Sequence, residues 1–323
     1  MGSEGSFALT EVSTDTSPCP FCQSTKVSLF LKVFDRYALS EEENYTLVRC
    51  QKCKLVYLNP FPSEQQRWQH YPQESLNQFQ TFQVARRDLL QRLCTFFLPY
   101  GIRWKRKCAE KLVGVGRILD YGCGHGDFLF NMRRHQWEAY GIEKNRKEAE
   151  FARQTLGLRV FRNWNELPSK FKNYFDVISF WHTFSLDDLP RETLEQSRSL
   201  LKANGWLIIA LPNLLSLDFA LYHKYWVALD VPRRVFHVTP KQLIQFVQKS
   251  GFKLSKKHHI PTDAFYNCLY SGKLLLKKDR SLRWIKPLLY FGASNLAVLS
   301  YILGLIGNGS GMVFYFQKDV DAT

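Results

Sequence analysis

From Gly116 onward, short apolar runs alternate with amphipathic segments, and this alternation predicts a parallel β-sheet with helices on both faces. Strands are expected at residues 117–121, 138–143, 176–180, 206–211, 252–260 and 311–317. Helices are expected at residues 128–134, 146–156, 191–200 and 240–250. Residues 113–323 are therefore predicted to form one α/β domain on a Rossmann-like, doubly wound sheet.

Upstream of this domain the pattern changes twice. Residues 1–17 are polar and rich in Ser and Thr, so we expect a disordered tail there. Residues 18–62 contain two short strand patterns, at 27–34 and 45–49, and residues 63–112 read as a helical lead-in. Pro72 and Pro99 are expected to break the helices of this lead-in, because proline lacks the amide N–H that a helix needs.

A hydrophobic insert, at about residues 262–309, separates the last two predicted strands. It begins with basic residues around Trp284, and no Asp, Glu, Lys or Arg occurs from Pro287 to Gln317. That length could span a bilayer, but both flanking strands belong to one sheet, which excludes a single crossing. A helical hairpin in the membrane interface, a lipid-binding lid and a dimerisation surface remain open. We favour peripheral contact with an anionic membrane over a helix simply buried in the protein.

The charge and the cysteine content indicate the kind of partner and the cellular compartment. The formal net charge is +15, from 44 Lys and Arg against 29 Asp and Glu, which favours nucleic acid or an anionic membrane as partner. Eight cysteines without an apolar N-terminal signal indicate a reducing compartment. We therefore expect a cytoplasmic protein, peripheral to the inner face of the membrane.

Four of the cysteines form two CxxC pairs, and the other four show no such spacing. Cys19 with Cys22 and Cys50 with Cys53 are separated by 27 residues, a spacing typical of a zinc ribbon. Each pair places two thiolates on one knuckle, and two knuckles complete a tetrahedral site without an open position. The sequence thus predicts structural Zn²⁺ in residues 18–62, with four incidental core cysteines as the alternative.

A glycine-rich turn follows the first strand of the α/β domain. Asp120 ends that strand, and Gly122, Gly124 and Gly126 come next, where a cofactor needs close approach to the backbone. Glu143 ends the following strand, a position from which a carboxylate can bind both ribose hydroxyls. The turn lacks the GxGxxG spacing of the dinucleotide fingerprint, although GxGxG alone could also serve a nicotinamide or flavin.

The order of several motifs resembles one family, the bacterial class I S-adenosylmethionine (SAM) dependent methyltransferases with an N-terminal zinc ribbon. The motifs are CPFC and CQKC followed by LVYLNPFPSEQQ, then ILDYGCGHGDFL, YGIEKNRKEAEFARQTLGL, FDVISFWH, LLKANGWLIIALPN and WVALDVPRRVFHVTPKQLIQFVQKSGF. This resemblance implies the class I methyltransferase fold, with the ribbon in front and the helical insert before the last strand. It also implies SAM contacts at Asp120, Gly122, Cys123, Gly124, Gly126 and Glu143, with Trp164, Asn165 and Glu166 near the adenine.

Methyl transfer to oxygen or carbon also needs a base. His182, just after the predicted strand at residues 176–180, and His237 are the two candidates, and each is as well explained by a structural hydrogen bond. Relatives carry Glu-His where this chain has Ser185-Leu186, so the usual base is missing. The acceptor-side candidates are Tyr225, Trp226, Arg233 and Arg234, the arginines because a guanidinium can pair with phosphate or carboxylate.

Three functions remain open on these grounds. The leading hypothesis is a SAM-dependent methyltransferase (EC 2.1.1.-) acting on a small-molecule or lipid-linked acceptor, of sugar, quinone-like or polyketide-like type, with the membrane surface as a candidate place of reaction. An RNA methyltransferase would use the ribbon and the +15 charge to bind phosphates. A SAM-binding interaction protein without catalytic activity would explain the missing Glu-His pair.

Overall fold

The computed structural model describes residues 17–37, 45–70, 89–278 and 286–319. Residues 1–16 of the predicted tail (residues 1–17) and the predicted break at Pro72 lie outside these ranges. The elements in chain order are β1 (Val27–Val33), β2 (Tyr45–Cys50), β3 (Val56–Leu58), α1 (Glu64–Gln69), α2 (Leu89–Val113), β4 (Arg117–Tyr121), α3 (Asp127–Arg134), β5 (Glu138–Ile142), α4 (Arg146–Gln154), β6 (Arg159–Phe161), β7 (Phe175–Trp181), α5 (Pro190–Leu200), β8 (Leu201–Pro212), α6 (Leu217–Tyr222), β9 (Phe236–His237), α7 (Pro240–Gln248), β10 (Phe252–His259), α8 (Pro261–Lys278), α9 (Lys286–Leu305) and β11 (Gly311–Lys318).

The α/β domain is built on a seven-stranded sheet of order β10-β11-β8-β7-β4-β5-β6. Strands β4 to β8 run parallel, and β11 pairs antiparallel with both β8 and β10. This is the predicted Rossmann-like, doubly wound arrangement, so the α/β fold class is confirmed. Strand β8 begins at Leu201, earlier than the predicted residue 206.

The side chains of the parallel strands alternate between two buried faces of the sheet. Ile118 and Leu119 are both fully buried but belong to different core clusters, and the same is true of Val177 and Ile178. Successive side chains of a strand point to opposite faces, so a strand covered by helices on both sides is apolar throughout. Because these strands are parallel, their carboxyl ends lie at the same edge of the sheet, where the turns after β4, β5 and β7 meet.

The N-terminal segment forms a second sheet of order β1-β2-β3-β9. Strand β9 comes from the α/β domain and pairs with β3, placing His237 opposite Val56. The ring of Phe21 stacks on Phe246 of α7 with centroids 3.6 Å apart. The N-terminal segment is thus joined to the α/β domain through a shared sheet and a shared aromatic contact.

The helical lead-in contains α1 and the 25-residue helix α2. Helix α2 runs through Pro99, so the predicted break at this residue is wrong. Pro99 is exposed, and water can therefore satisfy the carbonyl that loses its helical partner. A long helix thus tolerates one missing hydrogen bond on its solvent side.

The hydrophobic insert forms the helical hairpin of α8 and α9, between the antiparallel partners β10 and β11. The buried carboxylate of Asp218 fixes it to the α/β domain by accepting hydrogen bonds from Ser300 Oγ (3.2 Å), Ser310 Oγ (2.6 Å) and Trp226 Nε1 (2.7 Å). Among the helices in the described ranges, none has both the length and the hydrophobicity needed to cross a membrane.

Candidate active site

A cavity of about 390 Å³ lies at the edge where the parallel strands end. The turns after β4, β5 and β7 form its floor, and the N-terminal segment, α1, the 230–234 loop and α8 form its walls. It is lined by Arg36, Tyr37, Glu64, Arg67, Tyr121, Gly122, Gly124, Ile142, Glu143, Lys144, Glu148, His182, Thr183, Leu186, Asp187, Asp230, Arg233, Arg234 and Tyr266.

The glycine turn needs residues without a side chain at two points. Gly122 has φ +72°, and a Cβ there would lie 2.4 Å from Cγ2 of Thr183. Gly126 has φ +88°, and a Cβ there would lie 2.4 Å from Cδ1 of Leu158. The first glycine brings the turn close to Thr183 after β7, and the last one lets the start of α3 pack closely on the segment between α4 and β6.

Glu143 organises this turn from the end of β5. Its Oε2 accepts a hydrogen bond from the Gly124 N–H at 2.8 Å, and its Oε1 accepts one from the Asn145 N–H at 2.7 Å. Burial raises the pKa of Glu143 despite these two donors. The carboxylate also lines the cavity, so its remaining lone pairs are available to ligand hydroxyls.

Asp120 lies beneath the turn and is buried. Ser179 Oγ donates to its Oδ1 at 2.6 Å. Burial raises the pKa of Asp120 to about 7, because removal from water disfavours the charged form. An acid poised in this way can ionise when a cation arrives beside it.

Glu148 is a cavity residue that the sequence reasoning missed. It lies in the first turn of α4, and a Cβ on Gly124 would lie 3.3 Å from its Oε2. Burial, followed by the charge of Glu143, raises the pKa of Glu148 to about 8. No distinctive signal in the sequence pointed to Glu148, because an acidic residue in the first turn of a helix usually only complements the helix dipole.

His182 follows β7 and has φ +65°, an uncommon conformation for a residue other than glycine. The Arg234 side chain donates to its carbonyl at 2.9 Å. Its ring Nε2 lies 3.3 Å from Oδ2 of Asp263, the third residue of α8. Burial, then the nearby Arg234, holds the pKa of His182 well below 6.5, while burial raises the pKa of Asp263 to about 7.

The N-terminal segment contributes one wall of the cavity through Arg36 and Tyr37. The Arg36 side chain pairs with Asp230 at 2.9 Å and donates to the Val227 carbonyl at 3.0 Å. These bonds hold the turn after β1 against the 230–234 loop.

The four cysteines of the CxxC pairs converge in the described structure. Their Sγ atoms all lie within 4.8 Å of one another. Cys19 and Cys53 are 3.4 Å apart at Sγ, and Cys22 and Cys50 are 3.5 Å apart. A tetrahedral zinc with bonds of about 2.3 Å separates its sulfur ligands by roughly 3.8 Å. The cluster therefore fits a zinc ion after small adjustments.

Comparison with known families assigns the chain to one of them. Residues 85–257 match the family model described as "Methyltransferase domain", and this span is more than half of the 323-residue chain. The chain belongs to the methyltransferase-domain family. No curated protein matches the sequence.

Solved structures with a similar fold include three of different origin. A possible histamine N-methyltransferase from Thermotoga maritima is 19% identical with a TM-score of 0.47, and the match covers 72% of this chain and 96% of that one. A 1,6-didemethyltoxoflavin-N1-methyltransferase from Burkholderia thailandensis is 11% identical with a TM-score of 0.46, covering 87% and 98%. A cyclopropane synthase from Mycobacterium tuberculosis is 16% identical with a TM-score of 0.45, covering 67% and 84%.

Several predicted cofactor residues of this methyltransferase-family chain lie beside the cavity but do not line it. Trp164 stacks on the cavity residue Tyr121 with centroids 5.0 Å apart, and the backbone N–H of Asn165 donates to Asn163. The Cys123 thiol packs against Gly141 of β5, where a Cβ would lie 2.5 Å from its Sγ. A contact from Cys123 to a cofactor would therefore come from its backbone.

The predicted acceptor residues are placed differently from one another. Arg233 and Arg234 both line the cavity, but Arg233 is 3% exposed and paired with Asp35 at 2.7 Å and Asp230 at 2.8 Å. The Arg234 side chain donates to Ser185 as well as to the His182 carbonyl. These arginines thus hold the cavity wall together, and their role toward an acceptor stays a prediction.

The remaining predicted residues lie away from the cavity lining. Trp226 is buried in the core, and its indole donates to Asp218. Tyr225 contacts Phe34 with ring centroids 5.6 Å apart. His237 is buried in β9, and its Nε2 has no hydrogen-bond partner within the described part of the chain. Burial lowers the pKa of His237 to about 3, so its ring is neutral.

Proposed function

We propose that this protein transfers a methyl group from SAM to a small-molecule or lipid-linked acceptor at a membrane surface. One observation carries the proposal: a single cavity extends from the glycine turn and Glu143 to Tyr266, a residue of the hydrophobic hairpin. The cofactor end and the hairpin thus share one space.

The charges at the cofactor end favour SAM over a dinucleotide. Glu148 lies beside Gly124, where the pyrophosphate of a nicotinamide or flavin cofactor would lie in the dinucleotide fold. This acidic side chain disfavours a pyrophosphate but not a sulfonium nucleoside, whereas Glu143 suits the ribose of either cofactor. Glu143 would hold the ribose, and Asp120 would bind the α-ammonium group.

When bound, SAM would supply an electrophilic methyl group on a sulfonium centre, open to in-line attack by an acceptor atom. His182 would accept the proton from that atom. Its lowered pKa keeps the ring neutral, and a proton on Nε2 shared with Asp263 leaves Nδ1 as the proton acceptor. Asp263 would thus position the base from the hairpin.

The cluster of four cysteines would hold zinc as a structural ion. All four ligand positions are thiolates, which leaves no place for water or substrate on the metal. The ion would stabilise the segment that carries Arg36 and Tyr37 into the cavity wall.

The hairpin presents an apolar surface suited to the acyl region of a lipid. The large hydrophobic side chains of the hairpin that are at least 40% exposed are Phe265, Tyr266, Phe291, Val298, Leu299, Ile302, Leu305 and Ile306. Lys273 and Lys277 of α8 could pair with anionic headgroups. Tyr266 belongs both to this surface and to the cavity lining, so an acceptor anchored in lipid could reach the site. The membrane would be the inner, cytoplasmic leaflet.

Tritium transfer from methyl-labelled SAM tests the proposal. The protein is incubated with cell lipid extract, with small-molecule extract and with RNA, and a Glu143→Gln variant serves as control. We expect label in the lipid or small-molecule fraction that the variant does not produce. Label in RNA would support the alternative RNA methyltransferase, and SAM binding without label in any fraction would support a non-catalytic binding protein.

A further inference from the structure

Lys105 places a positive charge beside the end of β7, the strand that precedes the cavity residue His182. It lies on α2 and is partly buried, with its Nζ 5.2 Å from the ring centroid of Trp181. Trp181 ends β7 and immediately precedes His182. The indole also contacts Trp104 and Phe128, with centroids 5.9 Å away in each case. Aromatic packing therefore holds the ammonium beside the end of β7, next to His182.

The Lys105 ammonium has no hydrogen-bonded or ion-paired partner among the described residues. Within the described ranges, no carboxylate oxygen lies within 4.0 Å of its Nζ, and it donates no hydrogen bond. Burial lowers the pKa of Lys105 accordingly. A cation–π contact leaves the N–H donors of the ammonium unused, so they are available to an anionic group that binds beside it.

Three acidic groups and His182 lie near Lys105, each on a different part of the chain. Burial raises the pKa values of Asp120 at the end of β4, Asp127 at the start of α3 and Asp263 on α8, and the charge of Lys105 opposes each of these shifts. Burial, then Arg234 and Lys105, opposes protonation of His182. One cation and three acidic groups thus share this region. Such an arrangement matches a zwitterion better than a simple anion or cation.

We propose that Lys105 binds the α-carboxylate of the methionine part of SAM. The inference rests on the proposed function, and it assigns the two ends of the amino acid separately: the carboxylate to Lys105 and the ammonium to Asp120. An ammonium-carboxylate hydrogen bond in a partly dehydrated site is stronger than a neutral one.

Calorimetric titration with two ligands tests this assignment. The first is S-adenosylhomocysteine, and the second is its decarboxylated analogue, which keeps the amine and the adenosine. We expect Lys105→Met to weaken the first ligand about ten- to a hundred-fold and the second less than about three-fold. Lys105→Arg should recover part of the loss. Lys107→Met, which removes an exposed lysine from the same helix, should change neither.

Each other outcome overturns the inference. Equal weakening of both ligands by Lys105→Met would indicate a structural role, and thermal unfolding of the variant would show the same defect. Unchanged binding of both would remove Lys105 from the site. If the wild-type protein binds neither ligand, the proposed function fails together with the inference.

Discussion

Four carboxyl groups around the glycine turn share one physical condition. Burial raises the pKa values of Asp120, Glu143, Glu148 and Asp263, because each carboxyl group is partly or wholly removed from water. Folding such groups into one region costs free energy that a structural role alone does not return. A cationic ligand would offset that cost, which is why we place a sulfonium nucleoside there.

Asp120→Asn should separate stability from binding. The folded-state pKa of Asp120 is raised to about 7 from an ordinary 3.8, so the folded state holds this proton more tightly, and stability falls as pH rises between those values. The variant should therefore gain roughly 1–3 kcal/mol at pH 8 and little at pH 4, while SAM affinity falls. Urea unfolding at both pH values checks this, and equal effects at the two would contradict it.

His182 should remain neutral where an ordinary histidine is half protonated. Its folded-state pKa lies well below 6.5, so the unfolded chain binds the proton first, and stability is lost as pH falls through 6.5. NMR titration of labelled histidines, assigned with His182→Gln, measures the pKa and the tautomer. Asp263→Asn should alter that tautomer while leaving the fold intact. A normal titration near pH 6.5 would rule out the proposed base.

Residue types near the turn could be predicted from the sequence, but their partners could not. Gly122, Gly124 and Glu143 lie in the cavity lining because each closely follows a strand in the chain. Arg233 looked available to an acceptor, whereas it pairs with Asp35, 198 residues away in sequence. The Asp263–His182 contact likewise joins distant elements, and no local pattern reports such a pair.

At the scale of elements, the ribbon should depend on its metal. We expect about one zinc per chain, released when the thiols are modified and measured with a colorimetric chelator. Cys19→Ser should release zinc and weaken acceptor use, because the segment bearing Arg36 and Tyr37 would lose its support. Cys268→Ser, which alters a buried cysteine outside the cluster, is the matched control. Full folding and activity of a zinc-free protein would contradict this view.

The hairpin should bind anionic lipid. Replacing Ile302 and Ile306 with Asp removes two exposed apolar contacts, each contributing about 1.5–3 kcal/mol when fully buried, so vesicle binding should weaken at least about ten-fold. Val115→Asp, at an exposed apolar position outside the hairpin, is the control. Flotation with phosphatidylglycerol vesicles measures the effect, with phosphatidylcholine vesicles for comparison.

Two results would count against a membrane role for the hairpin. One is equal flotation of wild type and the hairpin variant. The other is a wild-type dimer in light scattering and a monomeric hairpin variant. The apolar surface would then contact a second copy of the chain.

Elements with strong periodicity were predictable, and those set by distant contacts were not. The parallel strands were visible as apolar runs because both of their faces are buried. The pairing of β9 with β3 was not visible, since Phe236–His237 is a two-residue strand defined only by its partner. Helix α2 was expected to stop at Pro99, but it continues because that proline faces solvent.

At the scale of the whole molecule, three parts of the chain converge on one cavity. The N-terminal segment contributes Arg36 and Tyr37, the α/β domain contributes the glycine turn and Glu143, and the hairpin contributes Tyr266. An acceptor would therefore meet groups from the ribbon and the hairpin while the α/β domain holds the methyl donor. This convergence would give both additions to the core fold a role at one site.

The most direct test is equilibrium titration of the full-length protein with SAM, with NAD⁺ and FAD as competing ligands. Our account predicts one SAM site per chain, weakened at least about ten-fold by Glu143→Gln, and no displacement by either dinucleotide. Absence of SAM binding, or displacement of SAM by a dinucleotide from a site that depends on Glu143, would contradict it.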